Sequence, residues 1–227
     1  MAEEKHDSLK YEKPFVTVDI VIFTIQNEAL KVLLIKRGEP PFKNCFALPG
    51  GFVEMKETLD VAAARELEEE TGVKYVYLEQ LYTFGEPNRD PRTRVITVSY
   101  IALIDSEKIS LKASTDAISA DWFDIDSLPK LGFDHDVIIN YAKERLRSKL
   151  SYSNIAFSLL PKYFTLTQAQ KVYEIILGHA LDKRNFRKEL ETLGLVKETE
   201  KMLDGVAHRP AKLYTLSDKK FELKIFD

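Results

Sequence analysis

A single cysteine, Cys45, stands in the 227 residues, so the chain cannot close a disulfide within itself. That absence suits a reducing cytoplasm. No stretch approaches the roughly 18 uninterrupted apolar residues of a membrane helix. The opening MAEEKHDSLKYEKP is too polar for a secretory leader. These absences set the expectation of a soluble, unexported, cytoplasmic protein with no membrane partner. Glycine and proline number only nine each, which excludes collagen-like and low-complexity classes. Net charge is small, at −3, so neither an acidic tail nor a basic arm dominates. What is present is core material: 44% apolar residues, with 13 Phe and 10 Tyr, which excludes a disordered chain. At about 150 residues per domain the length allows one large domain or two small ones.

Charge divides the chain where patterning does. Residues 1–150 carry 20 basic and 26 acidic side chains, and the remainder 13 and 10, giving −6 against +3. Within the first part, FVTVDIVIFTI from Phe15 and LKVLLIKR flank a Gln26-Asn27-Glu28 turn and read as a hairpin. VKYVYLEQLYTF, VITVSYIALI and ISADWFDI add further short strands. DVIINYAKERLRSKL shows helical spacing at Val137, Ile138, Tyr141, Leu146 and Leu150, and ends in a basic turn. A mixed sheet with packed helices, an α/β/α sandwich, is expected up to about residue 150. Residues 151–227 read as helices followed by two short strands.

The most informative segment is GFVEMKETLDVAAARELEEETGV, from Gly51 to Val73. Thr58 can cap a helix that Gly72 stops. At 3.6 residues per turn, Glu66, Glu69 and Glu70 fall within an arc of about 100° on one face. Like charges at this spacing repel, and a divalent cation would neutralise them. Oxygen-only ligands suit Mg²⁺ or Mn²⁺; zinc would want His or Cys. A solvated acidic stripe is the plain alternative for any Glu-rich helix.

Spacing decides between them. G-x5-E-x7-R-E-U-x-E-E-x-G-U, with U a bulky aliphatic, is met at Gly51, Glu57, Arg65, Glu66, Leu67, Glu69, Glu70, Gly72 and Val73, after Leu48-Pro49-Gly50. This resembles the Nudix box. The resemblance implies hydrolysis of a nucleoside diphosphate linked to another group. Glu66, Glu69 and Glu70 would hold metal, the Gly51 carbonyl adding a ligand, with Glu66 a candidate for the water's proton. Glu57 and Arg65 would brace the loop against the helix. Gly50 and Gly51 would let backbone approach metal or phosphate, although turns also use such glycines.

Downstream, GEPNRDPRTR carries Arg89, Arg92 and Arg94, residues suited to bidentate phosphate recognition, though charged loops with Pro and Asn are ordinary turn material. The E-P-N-R-D-P-R segment resembles the ADP-ribose pyrophosphatase branch, which implies cleavage of ADP-ribose to AMP and ribose 5-phosphate, with Arg89 and Arg92 as substrate contacts. Phe15, Tyr82 and Phe84 are the candidates for stacking on adenine.

In the tail, Thr167 can cap a helix ending at Gly178, and Asp182 a second from Lys183 to Leu193. Two short helices across a tight turn match helix-turn-helix spacing. The second helix carries Lys183, Arg184, Asn185, Arg187 and Lys188 near its start, with Phe186, Leu190 and Leu193 on its core face. LVKETE, a turn at Asp204-Gly205, and AKLYTLS would form a wing bearing Arg209 and Lys212. A small helical domain for dimerisation or for lidding the active site, its basic helix merely solvated, is the alternative.

This order of domains is similar to the Nudix-related transcriptional regulators of NAD metabolism. The resemblance implies a homodimer that senses ADP-ribose or a related phosphorylated ligand and binds double-stranded operator DNA through a C-terminal winged helix-turn-helix. Many such regulators have a degenerate box, whereas this one is complete. Two readings follow: a Mg²⁺-dependent hydrolase with a DNA-binding domain, and a non-catalytic repressor.

Overall fold

The computed structural model describes residues 12–72, 74, 76–105, 117–203 and 210–217. Strand β1 (Phe15–Gln26) turns at Asn27 and Glu28 into β2 (Ala29–Arg37). Both turn residues have positive φ, 52° and 58°, the backbone that a two-residue hairpin of this twist requires. The short strands β3 (Phe46–Ala47) and β4 (Gly50–Phe52) precede helix α1 (Leu59–Thr71). Next come β5 (Tyr77–Phe84), β6 (Val95–Leu103), β7 (Ala117–Asp124) and helix α2 (His135–Lys149). The strands lie in the order β3-β2-β1-β6-β5, with β4 joined to β1 and β7 to β2. β1 runs parallel to β6 and antiparallel to β2, so the sheet is mixed, as the sequence predicts.

β1 reads as an unbroken apolar run because both of its faces are covered. Val18, Ile20 and Ile22 pack with Ala62, Ala63 and Leu67 of α1. Val21 and Phe23 pack with Ile138, Ile139, Ala142 and Leu146 of α2. The helical pattern of α2 needs correction here. Val137 and Tyr141, expected on the core face, are 53% and 40% exposed. The buried stripe is rotated onto Ile138 and Ile139, because the first turn is anchored through Asp134 and His135.

Beyond α2, a 3₁₀ turn (Ile155–Leu159) leads to α3 (Leu166–Leu177) and α4 (Lys183–Thr192), then to strands β8 (Val196–Met202) and β9 (Lys212–Leu216). This is the winged helix. Thr165 caps α3, two residues earlier than Thr167, because Gln168 reciprocates its hydrogen bond in a capping box. Asp182 caps α4 as read, accepting from the amides of Arg184 and Asn185 at 3.1 and 2.8 Å. Reciprocal backbone bonds between Phe164 and Tyr214, of 3.0 and 2.8 Å, tie β9 to the entrance of α3. The Asp204-Gly205 turn and Arg209 lie outside the described residues. Among the described residues, no helix is long and apolar enough to cross a membrane.

One apolar cluster runs from the α2 face of the sheet through Phe157, Phe164 and Tyr173 to Phe186, Leu190 and Leu195. Arg147 Nε of α2 donates to the carbonyl of Ile176 in α3 at 3.0 Å, and Lys171 of α3 pairs with Glu28 of the hairpin at 3.1 Å. The two parts therefore share a core. Phe157→Ala should cost about 3–5 kcal/mol. In urea titrations it should lower the midpoint reported by the lone Trp122 on β7 together with that of the helical circular dichroism; a shift in the dichroism alone would mean that the two parts unfold independently.

Candidate ligand cavity and nucleic-acid interface

Helix α1 is held at both ends by the residues read from sequence. Thr58 accepts from the amide of Val61 at 3.3 Å, and Gly72, at φ 72°, closes the last turn. Burying Ala62, Ala63 and Leu67 on the sheet carries Glu66 and Glu70 inward, each 8% exposed, while Glu69 faces solvent. Glu68 points away to Lys74, 2.5 Å from its ammonium.

Arg65 organises this face. Its Nε and Nη2 donate to the two oxygens of Glu57 at 3.1 and 2.8 Å, and Nη1 reaches Glu66 Oε1 at 2.7 Å and Glu69 Oε2 at 3.2 Å. Nη2 also donates to the carbonyl of Phe52 at 3.2 Å, so the loop before the helix is clamped to it. The same bonds hold the Glu57 carboxyl below its ordinary range and the Arg65 guanidinium above its own. Burial pushes the Glu66 carboxyl up, against the pull of Arg65. A guanidinium thus stands among Glu57, Glu66 and Glu69. Among the described residues no three acidic, histidine or cysteine side chains form a ready-made metal cluster.

The donor set nevertheless fits a hard divalent cation. Glu66, Glu69 and Glu70 offer oxygen only, and a Cβ on Gly51 would lie 2.2 Å from Glu66 Oε1, so only glycine leaves that space to the carboxylate. Gly50 is equally constrained, since a Cβ there would meet the Val18 carbonyl oxygen at 2.1 Å.

Beside Gly51 opens a cavity of about 210 Å³, lined by Thr17, Arg37, Gly50, Gly51, Phe52, Arg92 and Phe133, with Asp19, Arg89 and His135 also in its wall. Arg89 is spent within this wall. It forks onto Asp134 at 2.7 and 3.0 Å and reaches Asp19 at 3.1 Å, with its side chain 3% exposed. Arg92 grips Asp90 bidentately at 3.0 and 2.7 Å and lies over the rings of Phe52 and Phe133, 5.6 and 5.9 Å from their centroids. His135 Nδ1 accepts from the Leu48 amide at 2.8 Å, which places the ring proton on Nε2, 3.7 Å from Asp19 Oδ1. Burial lowers its pKa.

Asp19, Arg37, Asp134 and His135 were not singled out from sequence. For Asp19 a signal existed, since a carboxylate inside FVTVDIVIF contradicts its local pattern, and such conflicts collect at functional sites. Of the three aromatics proposed for adenine, Tyr82 and Phe84 pack against Tyr141 of α2, 4.9 and 5.8 Å between centroids. Phe15 stands edge-on to Phe52, at 5.7 Å.

On the winged helix, Lys183, Arg184, Asn185 and Lys188 are exposed along α4. Arg187 is half-buried, with Nη2 3.4 Å from Thr167 Oγ1. Lys212 on β9 pairs with Glu198 on β8.

Fold and box together define a Nudix domain followed by a winged helix. The family model of the NUDIX domain matches residues 13–141, and that of the NrtR DNA-binding winged helix domain matches residues 156–216. The chain belongs to the Nudix family, in the branch that carries the NrtR winged helix. A protein of Acinetobacter baylyi named "ADPR responsive transcriptional repressor NtrR" is 39% identical over 221 residues, covering 96% of this chain and 86% of its own length. The ADP-ribose pyrophosphatase of Methanocaldococcus jannaschii is 46% identical over 139 residues, covering 60% of this chain and 79% of its own. The crystal structure of Shewanella oneidensis NrtR complexed with a 27mer DNA superposes with a TM-score of 0.80 at 36% identity, covering 89% of this chain and 93% of the other.

The buried imidazole gives a pH prediction. With its folded pKa below the ordinary value of about 6.5, His135 is neutral in the native state and binds a proton more readily once unfolded. Its contribution is complete above pH 6.5 and is lost as pH falls from there towards the folded pKa. Urea titrations between pH 7.5 and 5 should show declining stability, and His135→Gln should flatten that slope.

Proposed function

We propose that the chain is an ADP-ribose-responsive transcriptional repressor whose sensor keeps Nudix diphosphohydrolase chemistry. Residues 1–150 form the ligand-binding domain, and residues 151–227 bind double-stranded operator DNA from a cytoplasmic homodimer. The observation that carries this reading is the similarity to a named ADP-ribose-responsive repressor across both halves of the chain, combined with a complete box. Lys183, Arg184, Asn185, Arg187, Lys188, Arg209 and Lys212 supply the DNA contacts, with the exposed start of α4 entering the major groove.

For hydrolysis, Glu66, Glu69 and Glu70, with the Gly51 carbonyl, would hold Mg²⁺ or Mn²⁺. That ion supplies neutralisation of the diphosphate and a more acidic water. Glu69 is released from Arg65 at little cost, since exposed pairs of this kind contribute about 0–1 kcal/mol. Arg65 stays on Glu57 and keeps the loop in register. One of the three carboxylates accepts the proton of the attacking water. Occupation of the carboxylate face by Arg65 favours a second reading, a sensor that binds without cleaving.

With ADP-ribose and Mg²⁺, the wild type should release AMP and Glu70→Gln should do so about a hundredfold more slowly or worse. Absence of wild-type turnover sinks the hydrolase and leaves the sensor. Arg184→Ala should weaken operator binding by about 1–3 kcal/mol. Binding should fall steeply with salt, and an operator affinity indifferent to ADP-ribose would overturn the repressor reading.

A further inference from the structure

Three arginines line the cavity beside the box, and they differ in what they already hold. Arg89 is shared by two carboxylates and Arg92 is forked onto Asp90. Arg37, at the end of β2, has no carboxylate in ion-pair contact among the described residues. It donates from Nε to the Pro41 carbonyl at 2.8 Å, and its guanidinium carbon lies 5.0 Å from the centre of the Phe133 ring. The ring and the Pro41 carbonyl fix the orientation of a fork whose remaining donors have no hydrogen-bond partner among the described residues. A second, independent observation lies in the same wall. Thr17, 8% exposed, has a buried Oγ1 without a hydrogen-bond partner among the described residues. A buried hydroxyl left unmet costs about 1–3 kcal/mol, and a cavity-filling polar ligand removes that cost.

We propose that Arg37, with Thr17, is the oxyanion seat of this cavity: Arg37 takes the diphosphate of the ligand and Thr17 Oγ1 donates a hydrogen bond to it. The inference rests on the ligand reading above and replaces Arg89 as the direct contact. Arg89 becomes a positioning residue that keeps Asp19 and Asp134 in place. The charge pattern agrees. Burial and the neighbouring Arg92 depress the Arg37 pKa, against the pull of Asp90, Glu70 and Asp19. Arg92, held by Asp90 but 43% exposed, adds a second positive charge in the same wall, 5.9 Å from the centre of the Phe133 ring. A planar fork matches phosphate bidentately, which a lysine cannot do. Phe133 serves here as the surface on which the arginines lie and not as a platform for a base.

The test is calorimetry on the full chain with two probes, inorganic pyrophosphate and ADP-ribose. It is run with a chelator and again with Mg²⁺ in the Glu70→Gln background, where turnover is blocked. Arg37→Gln should weaken both anions at least tenfold and make the salt dependence of pyrophosphate binding shallower, a change that a merely structural role would not produce. Thr17→Val should weaken both several-fold. If Arg37→Gln fails to fold, Arg37→Lys decides, with weaker binding of both anions expected from a point charge. Unchanged pyrophosphate binding in the Arg37 variants overturns the seat, even if ADP-ribose still binds and the sensor reading stands. Pyrophosphate bound and then lost, with ADP-ribose never bound, keeps the seat and sinks the ADP-ribose reading. A wild type that binds neither anion overturns both.

Discussion

The buried pairing of Arg89 with Asp134 and Asp19 is the contact on which the Nudix domain is organised. It joins three segments far apart in sequence: the middle of β1, the loop before β6 and the first turn of α2. Charges taken out of water cost several kcal/mol each, and a pair repays this only with good geometry. Here the fork on Asp134 supplies that geometry, and Asp134 gives up any side-chain capping of α2 to supply it. His135, next in sequence, then sits beneath Leu48 and receives its amide. The wall of the cavity is thus built before any ligand arrives, and α2 has its first turn in that wall.

The box shows the same device in a looser form. Arg65 joins Glu57 to Glu66 and Glu69 as Arg89 joins Asp19 to Asp134, but Glu69 is 57% exposed where Asp19 is 10%. Solvent screens the first arrangement and not the second. One guanidinium is locked in the interior and the other shares its carboxylates with water. Arg65 thereby offsets part of the negative charge on the acidic face of α1.

Local chemistry was legible in the sequence wherever one residue determines one conformation. Thr58 and Gly72 bound α1, Asp182 bounds α4, and the Asn27-Glu28 turn lies where the hairpin requires it. The box was legible because its spacing is long and specific. What sequence could not show was which partners meet across the sheet. The two carboxylates that Arg89 holds stand 70 and 45 residues away in sequence. On α2 the expected Ile138, Leu146 and Leu150 are buried, while Val137 and Tyr141 are exposed and Ile139 takes their place in the core.

The joining of the two domains follows from α2. Its first turn belongs to the cavity wall, while near its last turn Arg147 holds the Ile176 carbonyl and Leu146 and Leu150 lie in the core shared with α3. At 1.5 Å per residue this 15-residue helix spans about 22 Å. Interiors are packed as densely as organic crystals, so a helix seated at both ends cannot shift at one without repacking the other. The winged helix is not a bead on a flexible tether. Its α3 is seated against the hairpin by Lys171 on Glu28 and against α2 by Arg147, and its wing is tied to α3 through Phe164 and Tyr214. Position of the basic helix α4 is therefore a property of the same core that holds the ligand cavity, which is the physical condition a ligand-responsive DNA-binding protein has to meet.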